Sequence, residues 1–272
     1  MWNDFRGRAV LVTGGTRGIG LATGLAFGRR GADVTLTYKW GSDDEGAIFD
    51  AFAAAGASRP DLVQADATHE DDVTAVMARI RERHEALEVF VSNVAFGVPV
   101  AGLDDYSHRA LMAGIDGSAW PIVSHIAAAR ATFGRAPRYV VGVSSEGPDT
   151  MHVGYDLIAT AKAALETMCR YLHYRLQPLG TNVNVVRTRF VDTESLTATF
   201  GERFADFVRT YEPDTLTAPE TVAEAIYGLC AGPMDAIGGQ VVTVDGGAAL
   251  FENFSRLFQE RHTHPLRPKE TA

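Results

Sequence analysis

The sequence predicts a single α/β domain built on a doubly wound, parallel sheet of seven strands. Short valine-rich apolar runs recur along the chain, and segments with helical spacing separate them. Because these runs are apolar on both faces, we expect buried parallel strands with right-handed crossovers and helices on both sides of the sheet. The composition, with 46% hydrophobic and 22% charged residues, is that of a globular protein, and no break in it marks a second domain.

The predicted strands and helices alternate along the chain. The strands are expected at residues 9–13, 34–38, 61–65, 89–93, 139–143, 183–186 and 240–244. The helices are expected at residues 18–30, 70–84, 106–133, 159–176 and 218–230. We therefore assign residues 1–250 to one domain.

Two segments lie outside this alternation. Residues 192–213 follow the sixth strand, and ligands of open α/β sheets bind beyond the carboxyl ends of the strands. We predict a substrate lid there; a helical surface excursion without function is the alternative. Residues 251–272 are expected to form a C-terminal tail that ends in the polar run HTHPLRPKETA.

The net charge and the cysteine content limit the classes of partner and metal site that the sequence predicts. The formal net charge of −9 argues against nucleic acid or an anionic membrane as the main partner, because both require clustered cations. Cys169 and Cys230 are expected to be buried free thiols, and no histidine or cysteine spacing predicts a metal site. An apolar strand begins within nine residues of the start and no long apolar span follows, so we expect a soluble cytoplasmic protein.

The run TGGTRGIG, from Thr13 to Gly20, follows the first predicted strand and opens the first helix. In this position a glycine turn binds the pyrophosphate of a dinucleotide at the helix N-terminus. Gly14 permits the tight turn, Gly18 lets the backbone approach the phosphates, and Gly20 allows close packing of helix on strand. A turn with a purely structural role is the alternative.

The pattern T-G-x-x-x-G-x-G resembles the short-chain dehydrogenase/reductase family, which has a Rossmann-type fold. The resemblance implies NADP binding rather than NAD binding, because Lys39 stands after the second strand where NAD-preferring members carry an acidic residue. Arg17 is similar to an arginine that NADPH-using members place near the 2′-phosphate. A solvated basic pair is the alternative. The resemblance assigns six residues of the turn to the cofactor: Gly14, Thr16, Arg17, Gly18, Ile19 and Gly20.

Further family motifs extend the resemblance from about residue 8 to 247. Asp66-Ala67 is similar to the adenine-contacting pair after the third strand, and Ser92-Asn93-Val94-Ala95 resembles the family's N-N-A-G. The resemblance therefore implies cofactor contacts by Asp66, Ala67, Asn93 and Ala95, and carboxamide contacts by Val191 and Thr193. The run VVTVDGG at residues 241–247 matches the last strand and its turn.

The catalytic pair is displaced from its usual spacing. Most members carry Tyr-x-x-x-Lys, whereas Ile158 stands at that tyrosine position and Tyr155 lies seven residues before Lys162. Offsets of four and of seven residues return to nearly the same helix face, so we expect Tyr155 to point towards the cofactor with Lys162. Y-x6-K together with this glycine turn looks most like the type III enoyl-acyl-carrier-protein reductases.

The displacement has a chemical interpretation. It amounts to about 4.5 Å along a helix. A ketone takes hydride and proton on adjacent atoms, whereas an enoyl thioester takes hydride on its β-carbon and collects charge on a carbonyl oxygen two bonds beyond. The acid must therefore reach farther.

The resemblance implies a role for each polar residue of the catalytic group. Tyr155 donates the proton, and Lys162 favours the tyrosinate and binds the nicotinamide ribose, so both also contact the cofactor. Ser145 orients the substrate carbonyl. Asp116 aligns with an asparagine of a proton-relay site, keeping an acceptor and losing the amide donor. Arg189 replaces the glycine of a Pro-Gly pair, where a solvated arginine and a contact to an acidic substrate are both open.

Three functions remain open on this evidence. The first is NADPH-dependent reduction of an enoyl thioester. The second is reduction of a biosynthetic, polyketide-like ketone by the same displaced tyrosine, and the third is a non-catalytic dinucleotide sensor. The expected partner is a small-molecule or carrier-protein-bound acyl substrate, and the family resemblance implies a homotetramer or homodimer.

Overall fold

The computed structural model describes residues 4–41, 44–211, 213–252, 255 and 258. Its strands are β1 Ala9–Thr13, β2 Asp33–Tyr38, β3 Asp61–Gln64, β4 Leu87–Ser92, β5 Tyr139–Ser145, β6 Asn182–Thr188, β7 Phe190–Val191, β8 Leu216–Thr217 and β9 Val241–Val244. Its α-helices are α1 Gly18–Gly28, α2 Glu45–Ala54, α3 Glu70–Arg81, α4 His108–Ser118, α5 Trp120–Phe133, α6 Asp156–Leu176, α7 Glu194–Phe200, α8 Glu202–Tyr211 and α9 Pro219–Cys230.

Seven of these strands form one parallel sheet in the order β3-β2-β1-β4-β5-β6-β9. The doubly wound α/β prediction is therefore confirmed. From β1 the chain first moves outward to β2 and β3, then returns to the other side of β1 with β4. This reversal opens a crevice beyond the carboxyl ends of β1 and β4, which is where such sheets bind their ligands.

Side chains on the two faces of the sheet form two separate cores. Val10 and Val12 of β1 pack with residues of α1, α2 and α9, including Phe27, Phe52 and Ile226. The alternating β1 positions, such as Leu11, pack instead with residues of α3, α5 and α6. This alternation is the two-residue period of a strand, and it explains why the strands read as continuous apolar runs.

Several predicted boundaries were wrong. The sequence analysis missed α2, a short helix capped by the Asp44 side chain, which accepts from the backbone N–H of Gly46 at 2.9 Å. The helix expected at 106–133 is two helices, α4 and α5, which meet at Ala119, where φ is −106° and ψ is −45°. Pro121 follows two residues later and supplies no backbone N–H to continue the first helix.

The segment 192–213 contains α7 and α8. It begins directly after β7, and β7 pairs in parallel with β8, which follows the segment. This pair, Phe190 with Leu216 and Val191 with Thr217, holds the two ends of the excursion together. Most of the tail predicted at 251–272 lies outside the described residues.

Cys169 and Cys230 are both buried and are not joined in a disulfide, as expected. In the part of the chain that the structure describes, no helix has the length and apolar character needed to cross a bilayer.

A buried ion pair ties α6 to the sheet. The Glu166 carboxylate accepts a hydrogen bond from the Ser144 hydroxyl at 2.7 Å, and Arg187 of β6 donates to both carboxylate oxygens at 3.0 and 2.7 Å. Arg187 also contacts Asp149. Because the Glu166 side chain is only 4% exposed, its charge depends on these partners for stabilisation.

We predict that Glu166→Ala lowers the free energy of unfolding by about 3–5 kcal/mol, because it leaves the Arg187 guanidinium buried without its main partner. Urea unfolding followed by circular dichroism measures the change. The control is Glu85→Ala, whose side chain is 93% exposed in its pair with Arg81; removing it should cost less than about 1 kcal/mol. Equal effects of the two substitutions would contradict the prediction.

Candidate active site

The glycine turn lies between β1 and α1, at the crevice. Gly14 has a φ of +62°, in the left-handed region. A Cβ on Gly20 would lie 2.2 Å from the Gly14 carbonyl oxygen, so only glycine permits this approach of helix to strand. Asn93, after β4, fastens the turn by donating from Nδ2 to the carbonyls of Thr13 and Gly14, at 3.2 and 2.9 Å.

The other residues of the turn divide between core and solvent. Thr16 is buried, and Ile19 packs against the core. Arg17 is exposed and its guanidinium lies 3.1 Å from the Glu194 carboxylate, at the start of α7. Thr193 lies close to the turn in space, because a Cβ on Gly18 would lie 3.2 Å from Thr193 Cγ2. The glycine turn and the predicted lid are therefore adjacent.

A cleft of about 630 Å³ extends from the turn over the ends of β2, β3 and β4. Six predicted cofactor or catalytic residues are among those that line it: Gly14, Lys39, Asp66, Ala67, Ala95 and Asp116. Trp40 and Trp120 also line it, although the sequence analysis assigned neither of them a role.

Lys39 and Asp66 form an ion pair in this cleft. The Lys39 ammonium lies 2.6 Å from an Asp66 carboxylate oxygen and 4.4 Å from the centre of the Trp40 ring. Burial by itself raises the pKa of Asp66, but hydrogen bonds from Lys39 and Thr68 lower it to about 2. The carboxylate is therefore ionised at neutral pH.

Asp116, which the resemblance assigns to a proton relay, lines a cleft whose lining residues do not include Tyr155 or Lys162. It is an exposed residue of α4 that lines the cleft with Trp40 and Trp120. Gly114, also on α4, faces α6: its added Cβ would lie 3.7 Å from the Ala161 Cβ.

Tyr155 immediately precedes α6 rather than lying within it. Its carbonyl accepts the hydrogen bond from Ala159 N–H at 2.8 Å, and its hydroxyl donates to Ser145 Oγ, at the end of β5, at 3.1 Å. The structure thus brings together two predicted catalytic residues. Ile158, at the usual tyrosine position, is buried, and a Cβ added to Gly97 would lie 2.2 Å from its Cγ1.

Lys162 is buried on α6 and its ammonium donates to the Val143 carbonyl of β5 at 2.7 Å. Burial lowers the pKa of Lys162 to about 8, while the Glu166 carboxylate acts in the opposite direction. The sequence analysis expected the Lys162 ammonium to favour the tyrosinate, but the Tyr155 pKa lies above its usual value. Burial raises the Tyr155 pKa, the Ser145 hydrogen bond opposes this, and the Glu146 charge adds to it.

Aromatic rings cover Tyr155. The Phe200 ring, at the end of α7, stacks on the Tyr155 ring with centroids 5.6 Å apart. The ring centroids of Phe190 on β7 and of Phe204 on α8 each lie within 5.7 Å of the Phe200 ring centroid. We call these three phenylalanines the aromatic cap. Through Phe200, the aromatic cap covers one face of the Tyr155 ring.

Sequence reasoning assigned no role to Glu146 or to His152. Glu146 is buried directly after Ser145, and its Oε1 lies 3.0 Å from His152 Nε2 and 3.2 Å from Arg189 Nε. The one available signal was a carboxylate directly after the predicted catalytic serine. The arginine and histidine that pair with it are brought there only by the fold.

Comparisons with known proteins agree with this geometry. The family model described as "Enoyl-(Acyl carrier protein) reductase" matches residues 14–249. A crystal structure of a short-chain dehydrogenase from Burkholderia cenocepacia in complex with NADP superposes with a TM-score of 0.77 at 28% identity, covering 91% of this chain and 100% of that chain. The chain belongs to the short-chain dehydrogenase/reductase family, a family of oxidoreductases.

Curated relatives carry several activities. The 1-cyclohexenylcarbonyl-CoA reductase of Streptomyces collinus is 28% identical over 90% of this chain and 88% of its own length. The cis-4-hydroxycyclohexanecarboxylate dehydrogenase of Sinomonas cyclohexanicum is 29% identical over 91% and 98%. The 3-oxoacyl-[acyl-carrier-protein] reductase MabA of Mycobacterium avium is 29% identical over 90% and 91%.

The glycine turn gives a direct test of the cofactor site. We predict that Gly20→Ala weakens dinucleotide binding by more than about ten-fold, because the new methyl group must displace the Gly14 backbone that approaches the phosphates. Calorimetric titration measures the affinity, and circular dichroism verifies folding. Gly102→Ala is the control, since its Cβ meets nothing within 4 Å. Unchanged affinity in a folded Gly20→Ala variant would refute the assignment.

Proposed function

We propose that this protein is an NADPH-dependent reductase of an α,β-unsaturated acyl thioester. The observation that carries the proposal is the Tyr155–Ser145 hydroxyl pair, formed by a tyrosine three residues before the usual position. The family model's enoyl reductase description and the 1-cyclohexenylcarbonyl-CoA reductase of Streptomyces collinus support it.

The residues of the crevice fit a dinucleotide. The approach of Gly20 to Gly14 leaves backbone N–H groups at the start of α1 free of side-chain bulk, as a pyrophosphate requires. The cleft over the ends of β2 and β3 has about 630 Å³, with Trp40 and Trp120 as flat walls for an adenine. Thr193 lies against Gly18 of the turn, and Val191 is buried on β7 beside the cap residue Phe190.

Two cations support the choice of NADPH. Lys39 and Arg17 each sit at the rim of this crevice, and each is held by a carboxylate, Asp66 and Glu194 respectively. A 2′-phosphate would take over either cation as a charge-assisted hydrogen-bond partner. The Arg17–Glu194 pair is weak, because its side chains are 60% and 69% exposed.

The hydroxyl pair is suited to hold one substrate oxygen. With Tyr155 and Ser145 3.1 Å apart, a thioester carbonyl oxygen can accept from both hydroxyls, which stabilise the negative charge that collects on it. NADPH, when bound, supplies the hydride that reaches the β-carbon. Tyr155 provides the proton, and Lys162 holds β5 and α6 together through Val143 while supplying a buried positive charge.

Reduction of a ketone is the second candidate. The same Ser145–Tyr155 pair can hold a ketone oxygen, and the MabA relatives reduce 3-oxoacyl groups according to their names. The preserved hydroxyl pair also argues against a non-catalytic sensor.

We further propose a cytoplasmic protein that works as a homotetramer or homodimer. Tyr171 and Tyr174 on α6 support an oligomer, because these large side chains are 69% and 71% exposed in the single chain.

We predict that Tyr155→Phe lowers kcat on an accepted enoyl thioester by about 100-fold or more, with little change in NADPH binding, because the proton donor is lost. The assay follows NADPH absorbance over a panel of enoyl-CoA, enoyl-carrier-protein and cyclic enoyl thioesters, with ketones as comparison substrates. Tyr171→Phe, on the exposed side of α6, is the matched control. A panel without any enoyl turnover, or full activity in Tyr155→Phe, would refute the proposal.

Cofactor preference has its own test. Lys39→Ala is expected to weaken NADPH binding by about ten-fold and to leave NADH binding nearly unchanged, because only NADPH carries the 2′-phosphate. Fluorescence titration with both cofactors measures the two affinities. Arg59→Ala removes an exposed cation that stacks on Phe49 and should change neither. Equal losses for NADPH and NADH in Lys39→Ala would contradict the assignment.

A further inference from the structure

Glu146 is a buried carboxylate at the reactive end of the crevice that no step above uses. Its side chain is 8% exposed and its Oε1 lies between His152 Nε2, at 3.0 Å, and Arg189 Nε, at 3.2 Å. Arg189 in turn donates to the Ala248 carbonyl at 3.2 Å. A buried charge is retained only with partners of this kind, so the carboxylate connects three separate segments of chain.

The backbone of Glu146 organises the loop that leads to Tyr155. Its N–H donates to the Thr188 carbonyl of β6, and its carbonyl accepts from the N–H groups of Asp149 and Thr150, all at 2.9 Å. Farther along, the Tyr155 N–H donates to the His152 carbonyl at 3.2 Å. The loop between β5 and α6 is thus fixed at both ends.

The His152 ring completes the connection. It packs edge-on against the Tyr155 ring, with centroids 5.9 Å apart, and also contacts the Phe190 and Phe200 rings of the aromatic cap. A side chain that binds the Glu146 carboxylate is therefore also a wall of the Tyr155 pocket. Movement of Glu146 would displace the tyrosine ring.

Glu146 also acts on Tyr155 through its charge. The carboxylate follows the serine that accepts the Tyr155 hydrogen bond, and its charge contributes to the raised Tyr155 pKa. The charged and titratable groups around the pair are His152 from the same loop, Arg189 after β6, and Lys162 of α6, whose ammonium binds Val143 two residues before Ser145. α7 and α8 contribute the rings of Phe200 and Phe204.

We propose that Glu146, held by Arg189 and His152, is a positioning residue that seats Tyr155 against Ser145 and keeps a negative charge beside its hydroxyl. The proposal rests on the proposed function only in taking Tyr155 as the proton donor. A nearby anion disfavours the tyrosinate, so the tyrosine keeps its proton until a substrate oxygen with developing charge accepts it. Arg189 limits this effect, because its charge acts in the opposite direction.

The two charges of the pair make opposite predictions. Glu146→Gln removes the anion and leaves Arg189, so the titration midpoint of Tyr155 should fall. Arg189→Gln leaves the anion unopposed, so the midpoint should rise. Asp149→Asn is the matched control, since it neutralises an exposed carboxylate of the same loop that pairs with Arg187, and it should leave the midpoint in place.

The experiment is an ultraviolet titration of tyrosinate absorbance in the whole protein, with the Tyr155→Phe version of each variant subtracted. It needs no substrate, so a failure of the proposed function would appear as absent turnover while this result stands. Where turnover is found, the basic limb of the kcat profile should move in the same two directions, whereas a merely structural role lowers kcat at every pH without moving that limb.

Coincident Tyr155 midpoints in wild type and folded Glu146→Gln would overturn the proposal, as would shifts of the same sign in both variants. If Glu146→Gln does not fold, Arg189→Gln decides alone, because an upward shift follows from the unopposed Glu146 charge and an unchanged midpoint overturns the proposal. In Glu146→Asp, which keeps the negative charge, the Tyr155 titration midpoint should stay close to that of the wild type.

Discussion

The hydrogen bond between the Tyr155 and Ser145 hydroxyls is the interaction on which the reactive end of the crevice depends. It joins the last residue of β5 to the residue that precedes α6, across a loop of nine residues, 146–154. The backbone hydrogen bonds of Glu146 hold the start of this loop, and the His152 ring packs against the Tyr155 ring at its end. A hydroxyl pair this close can bind one oxygen from two directions, which is the geometry required for charge that develops on a carbonyl.

Two ion pairs lie at the rim of the crevice, and a phosphate that binds their cations would compete with the carboxylates. Lys39 is bound by Asp66, and Arg17 is bound by Glu194 at the start of the segment that carries the aromatic cap. A phosphate that recruits Arg17 therefore competes with a contact between the glycine turn and the lid. Parallel strands bring these groups together because their carboxyl ends meet at one edge of the sheet, although the residues are far apart in sequence.

Local patterns were sufficient to predict the seven strands of the sheet and the position of the glycine turn, because each depends on residues close in sequence. The helix break at Ala119 was missed although Pro121 signalled it. The partners of Glu146 and Glu166 could not be predicted, because Arg187 on β6 and Arg189 directly after β6 reach them through tertiary packing. The raised Tyr155 pKa was not predicted either, because it results from burial and from the Glu146 charge, which together outweigh the Ser145 hydrogen bond.

The central claim is that the displaced tyrosine serves conjugate reduction. It is tested most directly by turnover of an enoyl thioester with NADPH deuterated at the transferred position, followed by nuclear magnetic resonance of the product. Deuterium on the β-carbon, with a solvent-derived proton on the α-carbon and an intact thioester carbonyl, is the expected result. Deuterium on a new carbinol carbon, from a ketone or from the thioester itself, with the carbon–carbon double bond untouched, would contradict it.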